Sequence, residues 1–156
     1  MRLFVRIVIL LVAIVAMGCG GRMPEEIGVN DGMFAPCPDK PNCVSSFAAD
    51  ADHHVDAIAI IGMPSAAWKG LQSLLGAESN VEVVASENGY LHAVYTSNLM
   101  RYRDDLEFFL REGENEIAIR SASRVGHSDM GVNRERVESI RSRLAEEGLV
   151  KAAVSD

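Results

Sequence analysis

From Asp105 to Ala122 the chain alternates apolar and charged residues on both sides of a turn at Gly113. This pattern most constrains the fold, because only an antiparallel hairpin with one buried face satisfies it. Leu106, Phe108 and Leu110 fall on one face, with Ile117 and Ile119 supplied by the partner strand. A two-residue or a four-residue loop gives the same pairing, with Glu107 opposite Arg120 and Asp105 opposite Ala122. Asp105, Glu107, Arg120 and Arg124 then share the other face. A charged, partly open sheet surface is the expectation.

The remaining elements follow from turn chemistry and period. Val81–Ser86 and Tyr90–Ser97 flank Asn88-Gly89, a strong two-residue hairpin signal. His54–Ile61, rich in Val and Ile, reads as a strand. Ser65 is the candidate N-cap of a short helix that carries Trp68, Leu71 and Leu75 on one stripe and ends at Gly76. A last helix is expected from about Asn133 to Glu147, with Val137, Ile140 and Leu144 inward and Gly148 beyond it. The order is strand, helix, four strands, helix. The expected class is α+β: a single, mostly antiparallel sheet of about five strands with two helices packed on one face.

Ahead of this domain, Arg2 and Arg6 precede an eleven-residue apolar run, Ile7–Met17. That run falls short of the roughly 20 residues needed to span a bilayer, but it suits an export signal. It ends in Ala16-Met17-Gly18-Cys19, which resembles the lipobox of bacterial lipoproteins. Residues 1–18 therefore read as a signal peptide and Cys19 as the lipidated new N-terminus. Gly20, where an Asp would favour inner-membrane retention, points to the outer membrane, facing the periplasm. Residues 19–32, Gly-rich and without apolar period, read as a flexible tether with a reach of about 20–25 Å. Residues 33–150 form the domain, and 151–156 a tail.

Losing Arg2 and Arg6 from the 15 basic residues leaves 13 against 22 acids, a balance of −9. So acidic a surface argues against nucleic acid, whose phosphates are bound by Lys and Arg. Membrane attachment is expected through the lipid on Cys19. The two other cysteines, Cys37 and Cys43, lie in Cys-Pro-Asp-Lys-Pro-Asn-Cys, and in an oxidising compartment a disulfide is the default reading. A metal site with His53 and His54 is the competing one. Adjacent residues of an extended segment point to opposite sides, so no metal and no cofactor is expected.

Residues 120–136, RSASRVGHSDMGVNRER, concentrate Arg120, Arg124, Arg134 and Arg136 around two glycines and a helix start. Two readings compete here. Guanidinium forks at Arg120, Arg124 and Arg134, together with Asp105 and backbone N–H groups at the helix start, suit a small anionic ligand. Alternatively Arg120 pairs with Glu107, Arg124 pairs with Asp104 or Asp105, and Asp129 or Asn133 caps the helix. His127, Ser128 and Asp129 are sequence neighbours, whereas a working triad is assembled from separate elements, so no catalytic residue is assigned to them. His92 reads as an ordinary packed or surface histidine.

CPDKPNCVSS, RYRDDLEFF and IAIRSASRVGHSDMGVNRERVESIR occur in that order. Over roughly residues 33–147 the chain thus resembles the domain of unknown function 1499 family, found in bacterial exported or membrane proteins and in plant plastids. His127, Arg101 and Arg103 depart from the pattern common in that family. The resemblance brings no activity with it. The leading functional expectation is a non-catalytic binding domain for a partner protein or a small anionic ligand. The alternative is an enzyme acting on an envelope substrate through Asp104/Asp105 and Arg120/Arg124.

Overall fold

The central hairpin forms in the expected register. Strands β7 (Arg103–Arg111) and β8 (Glu116–Ser123) pair antiparallel with Glu107 opposite Arg120 and Asp105 opposite Ala122. In this computed structural model, which describes residues 20–153, the chain also forms β1 (Val29–Asn30), β2 (Met33–Phe34), β3 (Cys43–Ser45) and β4 (Ile58–Ala59). Helix α1 (Pro64–Gly76), β5 (Val81–Glu87), β6 (Tyr90–Thr96) and helix α2 (Val132–Glu146) complete it. The fold is α+β and its main sheet antiparallel, in the order β3-β8-β7-β6-β5 with β4 also on β8.

The β5–β6 turn has Asn88 at φ 50° and Gly89 at φ 75°, the two left-handed residues that a type I′ hairpin requires. The β6–β7 pairing then sets Val94 opposite Asp105 and His92 opposite Glu107, which places His92 on the charged side of the sheet. Inward, Leu91, Leu106, Phe108, Ile117 and Ile119 share one core with Leu71 and Leu75 of α1 and Val137, Ile140 and Leu144 of α2. This is the face the apolar periodicity assigned to the helices. At Gly70 on α1 the side chain of Leu149 approaches so closely that a Cβ would collide with it.

Several expectations need correction. The strand expected over His54–Ile61 shrinks to β4, which lies off the five-strand path of the sheet. The edge is instead shared by two short strands along β8: β3 pairs with Arg120–Ala122, and β4 with Glu116–Ile117. Ser46 fills the gap between them by hydrogen-bonding the backbone of Ile119 through both its amide and its hydroxyl. Two prolines ahead of β3 masked it in the sequence. Helix α1 begins at Pro64 with Met63 as N-cap, so Ser65 lies inside the first turn. Proline, with φ preset and no N–H to satisfy, is well suited to start a helix.

Part of the segment expected as a tether, 19–32, holds local structure. Val29–Asn30 and Met33–Phe34 form a small two-stranded sheet. Phe34 is buried against Phe47, with ring centroids 5.4 Å apart. The Gly28 N–H reaches Glu107 on β7. A Cβ built on Gly20 would lie 3.4 Å from Arg103 Cδ, and one on Gly21 3.0 Å from Val125 Cγ1. Gly20 and Gly21 thus lie beside Arg103, Arg124 and Val125, and Gly28 is bonded to the outer face of the sheet. The Cys37–Cys43 disulfide is formed just ahead of β3, and closing so short a loop contributes about 2 kcal/mol in the chain-entropy view. The expected tail is tied at its start, since the Lys151 N–H donates to Ala59. The signal segment 1–18 and the lipidation site Cys19 lie outside the described residues, within which no helix is long and apolar enough to cross a membrane.

Candidate functional site

The charged residues singled out in the sequence divide between the two faces of the sheet. On the outer face, the Arg124 guanidinium donates to both oxygens of Asp105, Nε to Oδ2 at 2.8 Å and Nη2 to Oδ1 at 2.7 Å. His92 Nε2 lies 2.8 Å from Asp105 Oδ1. Beside them, Glu107 Oε2 accepts from Arg120 Nη1 at 3.0 Å, while Oε1 accepts from the Tyr90 hydroxyl at 3.0 Å and the Gly28 N–H at 2.8 Å. Asp105 and Glu107 are both 0% exposed. The partly open charged face expected from the alternation is therefore corrected to a buried one. On a bare sheet face these ion pairs would lie open to solvent. The 20–34 segment covers them, and its Gly28 amide becomes part of their hydrogen bonding.

The electrostatics fit this arrangement. Burial pushes the Asp105 carboxyl up, but the hydrogen bonds from His92 and Arg124 outweigh it and hold it below its usual range. With Asp105 ionised, His92 Nε2 must carry the proton. Burial, and then the negative charge of Glu107, push the Tyr90 phenol far up, so it remains a donor. A depressed folded-state value means stability that is present above the unfolded carboxylate pKa of about 3.9 and is lost as pH falls through the folded value. The thermal midpoint should thus drop on acidification below about pH 4. In Asp105→Asn that acid limb should be shallower, a comparison that melting curves between neutral and strongly acid pH decide.

Asp104 points the other way. Its Oδ2 accepts from Arg136 Nη2 at 2.7 Å, and Arg136 also stacks over Tyr95, 4.2 Å from the ring centroid. Arg136 Nη1 donates to Asn133 Oδ1 at 2.7 Å. Asn133, fully buried at the start of α2, accepts from Ser121 Oγ at 2.6 Å and donates to the Asn42 carbonyl at 3.0 Å and to Ser123 Oγ at 2.9 Å. Asp129 accepts from the Gly131 and Asn133 N–H groups at the entry to α2, whose N-cap is Gly131 rather than the expected Asp129 or Asn133. Because successive strand residues face opposite sides, Asp104 and Asp105 do not form one carboxylate pair. Each has its own arginine.

Arg134 is separate again. Its guanidinium donates to the carbonyls of His54 and Asp52, at 2.6 and 2.9 Å, and fastens α2 to that loop. Arg120, Arg124 and Asp105 are thus brought together, and Arg134 is not among them. Ser128 accepts from the Met130 N–H, while His127 is exposed. His53 turns to Asp50 and the Lys40 carbonyl, and His54 to the Ala48 carbonyl and Asp56. Among the described residues no group of three His, Cys, Asp or Glu side chains is placed to hold a metal ion.

The sequence did not signal one further feature. At the end of the sheet where β6 turns into β7, a cleft of about 570 Å3 opens between residues 97–102 and the 125–132 segment. Tyr102, Val125, Met130 and Val132 line its walls, and Asp104 and Arg136 line it as well. By surface its lining is mostly apolar, while Ser97, Asn98, Ser128 and Asp129 add polar groups, a mixture that suits an amphipathic small molecule. Tyr90, His92 and Asn42 were also missed as network members. The β6–β7 register that brings His92 to Asp105 is not fixed by any local turn signal.

No curated protein matches the chain. The family described as "Protein of unknown function (DUF1499)" matches residues 33–144, from β2 to the last turn of α2. The matched span contains the disulfide, the buried ladder of charges and both walls of the cleft, and the chain belongs to the DUF1499 family.

Proposed function

We propose that this protein is a non-catalytic binding domain held in the bacterial envelope by lipid on Cys19, at the outer membrane and facing the periplasm. Its ligand site is the cleft between residues 97–102 and 125–132, and its ligand is a small amphipathic molecule. One contrast carries this reading. The arginines and carboxylates that suggested an anion site all have internal partners, whereas Tyr102, Met130 and Val132 stand exposed along one cleft. Arg120 and Arg124 therefore serve the fold first. An apolar moiety fits between Tyr102, Val125 and Met130, with its polar end toward Asp104 and Arg136.

Native mass spectrometry on the full chain, gently extracted from its membrane, tests this. The expected result is a discrete bound small mass that Met130→Asp removes. Met130 is 92% exposed, so the substitution leaves the core untouched. A mass retained in Met130→Asp but lost in Arg120→Lys would move the site to the arginine face. A bare chain throughout would sink the small-ligand reading.

A further inference from the structure

Five of the large apolar side chains that stand exposed among the described residues, including the two most exposed, lie at one end of the domain. Leu99, Met100 and Tyr102 stand on the β6–β7 loop, and Met130 and Val132 on the segment that enters α2. Both tips are built rather than slack. Arg101 has φ 56° and Met130 φ 57°, left-handed conformations that non-glycine residues adopt only where the surroundings hold them. The Ser97 N–H donates to the Tyr102 carbonyl and the Tyr102 N–H to Ser97 Oγ. The Met130 N–H donates to Ser128 Oγ. These loops fix Leu99, at 89% exposure, and Met130 outward, where a chain acting only in water gains nothing from them.

The chain enters the domain at the same end. Gly20 lies against Arg103, and Gly21 against Arg124 and Val125. Before them in the sequence comes the apolar run Ile7–Met17 with Arg2 and Arg6. The described chain therefore begins, at Gly20 and Gly21, beside Arg103 and Val125.

Charge points the same way. Residues 97–103, Ser-Asn-Leu-Met-Arg-Tyr-Arg, contain two arginines and no acid in a chain of net charge −7. Arg101, Tyr102 and Arg103 are all exposed. Leucine and methionine tips, an amphipathic tyrosine ring and arginines at headgroup level make up a bilayer interface contact.

We propose that this end of the domain docks directly on the membrane that holds its N-terminus, with Leu99, Met100 and Met130 entering the lipid surface and Arg101 and Arg103 meeting anionic headgroups. The Gly113 turn, at the other end of the β7–β8 hairpin, then points away from the membrane, and the cleft opens close to the lipid. The proposal rests on the membrane attachment of the N-terminus; it shares Met130 with the cleft, whereas Leu99 belongs to the docking surface alone.

The full chain is reconstituted into phosphatidylethanolamine and phosphatidylglycerol vesicles carrying brominated acyl chains, which quench nearby tryptophan. Leu99→Trp, Met130→Trp and Glu114→Trp are compared with the parent chain, whose single Trp68 sets the baseline. The first two should each lose roughly half of their added emission on bromination, and Glu114→Trp none. Vesicle-bound protein without quenching at 99 and 130 overturns the docking while leaving the attachment intact, and equal quenching at all three positions overturns the orientation. Protein that fails to float with the vesicles overturns both the docking and the attachment beneath it.

Discussion

Glu107→Ala is expected to destabilise the domain by about 3–5 kcal/mol, the cost of breaking a buried ion pair from one side. The carboxylate has no exposed surface and accepts from Arg120, Tyr90 and the Gly28 amide. Without it, Arg120 stays charged and buried, and its Nε already lacks a partner among the described residues. For a domain whose whole stability is on the order of 5–15 kcal/mol, such a loss removes much of the margin. Glu107→Gln keeps the shape and an acceptor for Tyr90 and Gly28, so its cost should be smaller. Removing both charges, Glu107→Leu with Arg120→Met, should recover most of the loss, because the penalty comes from the stranded charge rather than from a missing attraction. Urea titrations of the four proteins measure this. The Gly28 amide gives a second readout, since its hydrogen exchange should accelerate in Glu107→Ala beyond what global unfolding explains. A Glu107→Ala protein as stable as the parent would mean that the outer-face ladder contributes nothing to the fold.

Asn133→Leu is expected to cost about 3–4 kcal/mol, because each buried polar group left unsatisfied costs about 1–3. Its side chain accepts from Ser121 and Arg136 and donates to Ser123 and to the carbonyl of Asn42. One amide therefore joins the start of α2 to β8 and to the residue before β3. Asn133→Asp is the sharper comparison. It preserves the shape and both acceptor contacts, but it sets a carboxylate oxygen against the Asn42 carbonyl where a donor had been. The nearby Arg136 offsets part of this, yet a comparable loss is expected. Thermal melts of the two variants decide the matter. If Asn133→Asp were neutral, the donor side of the amide would be unimportant and α2 would be held by its apolar stripe alone.

These two residues also mark how far the sequence could be read. Glu107 was legible. A period of two over Asp105–Arg111, met by a matching run after Gly113, fixes its partner as Arg120 whether the turn has two residues or four. Asn133 was legible only as a candidate cap, since its four side-chain partners come from positions 42, 121, 123 and 136. The Asn88-Gly89 turn and the apolar stripes of both helices were equally readable, because each is a local pattern with a physical period. Misreadings fell where no local pattern operates: the division of the β8 edge between β3 and β4, and the docking of residues 20–34 on the sheet.

The sequence by itself determined the α+β class, the central hairpin register, the disulfide partners and the family, all carried by neighbours in the chain or by periodic spacing. Only the tertiary structure decided that the charged face is closed, that Asp104 and Asp105 serve opposite sides, and that exposed apolar tips meet the chain's entry point at one end of the sheet. A charged alternating strand reads the same whether water or another segment covers it. What covers it depends on contacts across long stretches of sequence, such as Gly28 to Glu107, and no local pattern encodes those.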